Sequence, residues 1–379
     1  VSHYLDFAST TPLDPAVLDA MMPALTEVYG NASSVHRTGQ RARRLVEQAR
    51  EQVAAALGTR PRQVHFTSGA TEADNQALRG VLGGGDGGLV TSPLEHAAVL
   101  SPARVLRETG TPVSYLRPNE HGGLEAGELE RVLADRPGTR LVALMAVNNE
   151  TGVLTDVAAM AEVAHRHGAL LFCDAVQGFG LEPLDVGALG VDLLALSGHK
   201  VFGPKGAGAL YVAEGVELRP LLLGGEQERG LRPGTHATPA IVGLGAAAER
   251  AAAERGQRRE AVRLARDAFE AAAAALPGVR VNGGGAPRGV KHSNLRVDGV
   301  DGESLLLALD DLGVEASAGS ACAAGSVEPS HVLLAMGLSA EQAKASVRFS
   351  FAHTVSVADA LDAAARFERA VERCRTRVT

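Results

Sequence analysis

Ala169-Leu170-Leu171-Phe172-Cys173-Asp174 decides the fold. An unbroken apolar run, with no polar residue alternating through it, reads as a strand buried on both faces, and a carboxylate closes it. The helical stretch Asp156 to His167 stands before it, and the apolar run Leu141 to Val147 before that. Strand, helix and strand at this spacing make the unit of a parallel sheet. Outward from this unit the pattern repeats. Val64 to Thr67 leads into a helix from about Thr71, and Gly88 to Ser92 precedes a helix from His96. Pro112 to Leu116, Val191 to Leu196 and Gly208 to Val212 are further strand candidates, and Glu125 to Ala134 is another helix. The alternation predicts an α/β fold with a mostly parallel sheet covered on both faces.

The C-terminal third changes character. From about Pro239 to Leu276 the chain is rich in Ala, Arg and Glu, which predicts one long helix or two consecutive ones. Pro277-Gly278 and the breaker cluster Gly283 to Pro287 follow. A strand near Val290 to Val297, a helix near Gly302 to Leu312 and a final helix after Val357 complete a smaller α+β unit. The expected division is a large α/β domain over 14–253 and a small α+β domain built from 1–13 and 254–379.

Composition narrows the function. The 379 residues carry a net charge of −7, no tryptophan and 3% aromatics, which leaves no platform for stacking single-stranded bases. Arg41, Arg43 and Arg44 lie on a helix and read as a solvated face, so direct contact with nucleic acid is not expected. No apolar run approaches the ~20 residues that span a bilayer, and no charged-then-apolar segment opens the sequence. The expectation is a cytoplasmic protein. Cys173, Cys322 and Cys374 are far apart and form no Cys-x-x-Cys, so neither a disulfide framework nor a zinc site follows.

The chemistry starts at Lys200. Its lysines number four, Lys200, Lys205, Lys291 and Lys344, in a chain that otherwise uses arginine. Arginine stays protonated, whereas a desolvated lysine loses its proton and becomes a nucleophile. Lys200 ends Ser197-Gly198-His199-Lys200, just after a buried strand, and Asp174 ends the strand upstream. Ligands of parallel sheets bind beyond the carboxyl ends of the strands. An Asp and a Lys placed there fit the pair that holds pyridoxal phosphate, the Asp on the pyridine nitrogen and the Lys on the aldehyde. A capping Asp and a surface Lys are the plainer alternatives. Thr67-Ser68-Gly69-Ala70-Thr71-Glu72 places small residues at a helix start, a natural phosphate cradle, and has no Walker lysine. His96, at a strand-to-helix junction, is placed to stack on a planar cofactor or simply to cap its helix. Cys322, in Ser317-Ala318-Gly319-Ser320-Ala321-Cys322-Ala323-Ala324-Gly325-Ser326, reads as a nucleophile on a mobile loop. At the reference pKa of ~8.5 only about 3% of such a thiol is thiolate at pH 7, so local charge must activate it. Glu328-Pro329-Ser330 is expected to open a helix. Cys173 reads as packing. Arg348, in the alternating strand Ser346-Val347-Arg348-Phe349-Ser350, is positioned to clamp a carboxylate or to sit half-exposed.

In order, these motifs resemble the cysteine desulfurases, members of the class V aminotransferase group of fold-type-I pyridoxal-phosphate enzymes. The likeness also takes in Leu5-Asp6-Phe7-Ala8-Ser9-Thr10-Thr11-Pro12, Gly30-Asn31-Ala32-Ser33-Ser34, Glu95-His96, Val147-Asn148-Asn149-Glu150-Thr151-Gly152, Asp174-Ala175-Val176-Gln177 and Glu228-Arg229-Gly230-Leu231-Arg232-Pro233-Gly234-Thr235. It runs almost end to end, and the ordered set is far more specific than any one block. It departs at Ala32, where the family often has proline, and at Phe351-Ala352-His353, where many relatives have a Gly-Arg pair.

The resemblance implies a seven-stranded, mostly parallel sheet in the large domain and pyridoxal 5'-phosphate as cofactor. It implies that Lys200 bonds the cofactor, Asp174 pairs with the ring nitrogen, Gln177 bonds the ring oxygen and His96 stacks on the ring and exchanges protons. Ala70, Thr71, Ser197 and His199 would hold the phosphate, with Thr235 reaching the phosphate in a partner subunit of a homodimer. Asn149 would contact the cofactor region. Asn31 and Arg348 would receive the carboxylate of L-cysteine. Cys322 would take the sulfur and pass it to a protein acceptor, such as an iron–sulfur scaffold or a sulfur carrier. Iron–sulfur assembly, tRNA thiolation and DNA sulfur modification all stay open. The competing readings are a selenocysteine lyase-like enzyme, a plain aminotransferase, and a partner-dependent sulfur-relay platform. The loop cysteine weighs against the first two, and the intact Lys200, Asp174 and Cys322 against the third.

Overall fold

The computed structural model describes residues 2–85, 87–318 and 328–376. In chain order the strands are β1 (His3–Tyr4), β2 (Val64–Thr67), β3 (Gly88–Thr91), β4 (Val113–Tyr115), β5 (Thr139–Met145), β6 (Leu170–Asp174), β7 (Leu193–Ser197), β8 (Gly208–Val212), β9 (Val279–Val281), β10 (His292–Val297), β11 (Val314–Glu315) and β12 (Ser346–Ser350). Helices α1 (Pro15–Thr26) and α2 (Arg37–Ala56) precede the first long strand, and α3 (Ala70–Leu82), α4 (Ala97–Glu108), α5 (Ala126–Asp135), α6 (Val157–Arg166) and the short α7 (Val186–Leu189) alternate with the strands. Then follow α8 (Thr238–Ala253), α9 (Arg255–Ala274), α10 (Gly302–Asp311), α11 (His331–Ala335), α12 (Ala340–Lys344) and α13 (Val357–Thr376).

The main sheet has seven strands in the order β2-β8-β7-β6-β5-β3-β4. β3 to β7 run parallel, and β8 runs antiparallel to both β7 and β2. The exception has a local cause. Residues 198–207 join β7 to β8 with no crossover helix, and a parallel return needs one. The turn that reverses the chain is therefore the one that carries Lys200. Alternate residues of β5 face two cores: Val142 and Leu144 join α2, α6 and α8, and Leu141 and Ala143 join α3 and α4. That two-sided burial is why the strands read as unbroken apolar runs.

The Ala-rich stretch is two helices with a break at Glu254, not one. The break sends each helix to its own core. α8 buries Ile241, Leu244, Ala247 and Ala248 beside α2, where Gly245 lets the backbones close up. A Cβ there would lie 2.6 Å from the Ala49 Cα. α9 buries Val262, Ala265 and Phe269 against β10, β12, α10 and α13. β12, β10 and β9 form an antiparallel sheet beneath that second core. Of the two alternatives for Arg348, the half-exposed one does not hold: all residues of β12 are buried, because it pairs with β10 on one side while bridges at Asp6 and Ser317 cover the other. Among the described residues no helix is long and apolar enough to cross a membrane.

Candidate active site

Five strand ends meet at one edge of the main sheet. Register pairs Met145 with Asp174, Asp174 with Ala195, Ser197 with Gly208 and Gly208 with Thr67. A cavity of about 570 Å³ opens beyond them, lined by Ser68, Gly69, Ala70, Thr71, His96, Asn149, Asp174, Gln177, Ser197, His199 and Lys200 among others. Gly208 sits under its floor, where a Cβ would come within 2.7 Å of the Gly69 backbone.

Lys200 closes a 3-10 turn, Gly198–Lys200, directly after β7. Its Nζ donates to the carbonyls of Ala8, at 2.5 Å, and Ser9, at 2.7 Å. Burial first, and the nearby Arg348 guanidinium second, push its ammonium down to about 8. A lysine in this setting yields a neutral amine far more readily than one in water.

Asp174 is buried and accepts one backbone hydrogen bond, from Val176 N at 3.0 Å, with no ion pair among the described residues. Burial raises its carboxyl above the ordinary range, while Val176 N, His96 and Lys200 pull the other way. Asp74 and Glu95 lie behind it. Burial raises both, Glu95 to about 8, and among the described residues Oδ1 of Asp74 and Oε2 of Glu95 have no hydrogen-bond partner. A buried carboxylate that faces the cavity is suited to a protonated ring nitrogen. His96 caps α4 and also lines the cavity. Its Nδ1 accepts from Ala98 N at 3.1 Å, which leaves Nε2 to carry the proton of the neutral ring. Burial lowers its pKa, against the pull of Asp174.

The opposite end of the cavity suits an anion. α3 points its N-terminus inward at Ala70 and Thr71, whose backbone N–H groups have no acceptor within the helix. Ser68, Ser197, His199 and Lys205 surround the same end. His199 shares a hydrogen bond of 3.1 Å between Nδ1 and Thr10 Oγ1, and burial, then Lys200, pushes its pKa down to about 4. A carboxylate for the ring nitrogen, an amine for the aldehyde and a helix N-terminus for the phosphate are thus present in one cavity, and this donor set fits pyridoxal phosphate.

Arg348 is buried. Its Nη2 pairs with Asp6 Oδ1 at 2.7 Å and donates to Ser9 Oγ at 2.8 Å, and its Nη1 donates to Asn149 O at 2.9 Å. Among the described residues, its Nε and the Asn149 Oδ1 are buried without hydrogen-bond partners. Gln177 donates to Ala8 O at 2.9 Å. Asn31 and Thr235 do not line the cavity. Both are exposed, and Asn31 Oδ1 accepts from Ser33 N. The loop that leads to Thr235 is anchored by a buried pair, Glu228 with Arg50 at 2.7 Å, and by Phe66 N, which donates to Glu228. Cys322 lies outside the described residues. Cys173 is fully buried, and burial holds its thiol well above the ordinary range. Ser330 caps α11, as Glu328-Pro329-Ser330 foretold.

The sequence reading gave no role to Ser9, Thr10, Lys205, Asp74 or Glu95, which line or back the cavity. Lys205 carried a usable signal: it is one of four lysines and follows Lys200 by five residues. Ser9 and Thr10 stand in the Leu5 to Pro12 block of the resemblance, but nothing local in that stretch shows that the fold brings it to the cavity.

Comparison with known proteins places this geometry. A family model described as aminotransferase class-V matches residues 3–361. A cysteine desulfurase of Nostoc sp. (strain PCC 7120 / SAG 25.82 / UTEX 2576) is 44% identical over 351 residues, 92% of this chain and 87% of that protein. A solved NifS-like protein superposes with a TM-score of 0.89 at 31% identity, over 100% of this chain and 99% of its own. SspA, solved in complex with cysteine, superposes with a TM-score of 0.82 at 36% identity, over 93% of this chain and 99% of its own.

Proposed function

Since the chain belongs to the aminotransferase class-V family and is a pyridoxal-phosphate-dependent cysteine desulfurase, we propose that Lys200, Asp174, His96, Arg348 and Cys322 carry the conversion of L-cysteine to L-alanine. One observation carries this assignment: Lys200, Asp174 and the α3 N-terminus face a single cavity from neighbouring strand ends. The cysteine bound to SspA, a relative of similar fold, supports L-cysteine as the substrate. When bound, pyridoxal phosphate supplies an electrophilic carbon for the substrate amine and a protonated ring that accepts the electron pair released at Cα.

The chain's own residues do the rest. Lys200, with its ammonium held near 8, takes the Cα proton as a neutral amine and returns it to the product. Asp174 keeps the ring nitrogen protonated. His96, with Nδ1 engaged by Ala98 N, would stack on the ring and exchange protons through Nε2. Ala70, Thr71, Ser197 and His199 hold the phosphate, and Asn149 contacts the ring's surroundings. Arg348 is assigned to the substrate carboxylate, through Asn149, which lines the cavity and accepts from Arg348 Nη1, and Asn31 is the second carboxylate contact. Sγ of Cys322 attacks the substrate sulfur and the C–S bond breaks. Its electron pair stays on the carbon fragment, which takes up a proton and leaves as L-alanine. Cys322 keeps the sulfur as a persulfide and gives it to a protein acceptor, an iron–sulfur scaffold or a sulfur carrier.

We also assign the working unit as a homodimer, with Thr235 reaching the partner's phosphate. Tyr29, Val35 and Leu223 are 86%, 87% and 89% exposed, apolar side chains that a partner subunit would cover. Residues 14–253 form the cofactor-binding unit, and 1–13 with 254–379 the unit that carries the Cys322 loop.

Steady-state kinetics test the carboxylate site. Arg348→Met should raise KM for L-cysteine by roughly tenfold or more, with kcat within about threefold, because it removes binding common to ground and transition states. An unchanged KM in folded protein would place the carboxylate elsewhere.

A further inference from the structure

Lys291 has no task in the reaction above and is costly to keep where it is. It is 5% exposed, and no carboxylate among the described residues pairs with it. Burial, then Lys200 and Arg348, pushes its ammonium down to about 7. Among the described residues its Nζ has one hydrogen-bond acceptor, Gln177 Oε1 at 3.5 Å. The backbone beside it is pinned, since Phe351 N donates to Lys291 O. With Lys200 it lines a small cavity of about 20 Å³ behind the main one, room for about one water.

The chemistry of the contact is asymmetric. Gln177 has an amide with one accepting and one donating end, and either orientation has nearly the same shape. A protonated lysine offers only donors, so it selects the oxygen. The Ala8 carbonyl offers only an acceptor, so it selects the NH₂ group, and it receives Nε2 at 2.9 Å. The two neighbours agree, and the second N–H of Nε2 is left for the main cavity that Gln177 lines. Ala8 O also receives Lys200 Nζ, so Lys291, Gln177, Ala8 and Lys200 form one connected set.

We propose that Lys291 is a positioning residue that fixes the Gln177 amide with its NH₂ group toward the ring oxygen of the bound cofactor. The proposal rests on the assignment of Lys200 as the cofactor-bonding lysine. Removing Lys291 leaves the Ala8 carbonyl alone to hold the amide, the donor to the ring oxygen is held less firmly, and that oxygen then keeps the proton on the adjacent Lys200 nitrogen more tightly. The visible absorption band of the holoenzyme reports that proton.

The test is the pH midpoint of this band in wild type, Lys291→Met, Gln177→Leu and the double variant, with thermal midpoints measured on the same samples. Lys291→Met should move the midpoint upward by roughly 0.5–1 pH unit. In the Gln177→Leu background it should move it by less than half as much, the non-additivity expected of a residue that acts through another. An unmoved midpoint with a lowered thermal midpoint makes Lys291 merely structural and overturns the proposal. Equal shifts in both backgrounds mean that its charge acts directly, which also overturns it. If Lys291→Met does not fold, Lys291→Asn, which fits within the lysine's space, should give the same upward shift. Absence of any band in wild type, or its survival in Lys200→Ala, would instead count against the assignment of Lys200.

Discussion

Lys200→Ala should fold, keep the wild-type thermal midpoint within a few degrees, and lower alanine formation from L-cysteine by roughly 10⁴-fold or more. The size follows from two losses at one atom. The variant has no amine to bond the cofactor and no base to move the Cα proton. Lys205 lines the same cavity and Lys291 lies behind it, so the test must separate three lysines. Borohydride reduction of the holoenzyme followed by peptide mass mapping does so. The cofactor mass should sit on Lys200 in wild type and be absent from the variant. Label on Lys205 or Lys291, or alanine formation within tenfold of wild type, would remove Lys200 from the reaction.

Asp174→Ala should lower kcat/KM for L-cysteine by roughly 10²–10³-fold, with the cofactor still bonded at Lys200. The carboxylate is buried, carries one backbone hydrogen bond and no ion pair among the described residues, and has the acidic Asp74 and Glu95 behind it. That environment disfavours a lone anion and is relieved by a cation at the ring nitrogen. Alanine removes the anion that keeps the ring protonated, so the ring withdraws electrons from Cα less strongly. A loss below tenfold would mean that another group holds that proton.

What could be read from the sequence was local. β6 ends in Asp174 and β7 runs into Lys200 within single short stretches, so their apolar runs and terminal residues were visible together. The helix start at Ala70 was visible for the same reason. What the sequence hid was held by distant partners. Lys200 Nζ meets the Ala8 carbonyl across 192 residues of chain, and Arg348 meets Asp6 across 342. No period or spacing encodes such a pair. For Arg348 the alternating polarity of its strand left a carboxylate clamp and a half-exposed side chain both open. The N-terminal segment covers that strand, buries the arginine and pairs its guanidinium with Asp6. The reversal of β8 was legible in principle from the missing crossover helix.

The most direct test of the central claim is the intact mass of the holoenzyme after exposure to L-cysteine without reductant, beside Cys322→Ala. Wild type should gain the mass of one sulfur atom and the variant none, with L-alanine appearing in step with the gain. Alanine accumulating while neither protein gains mass would contradict Cys322 as the sulfur acceptor.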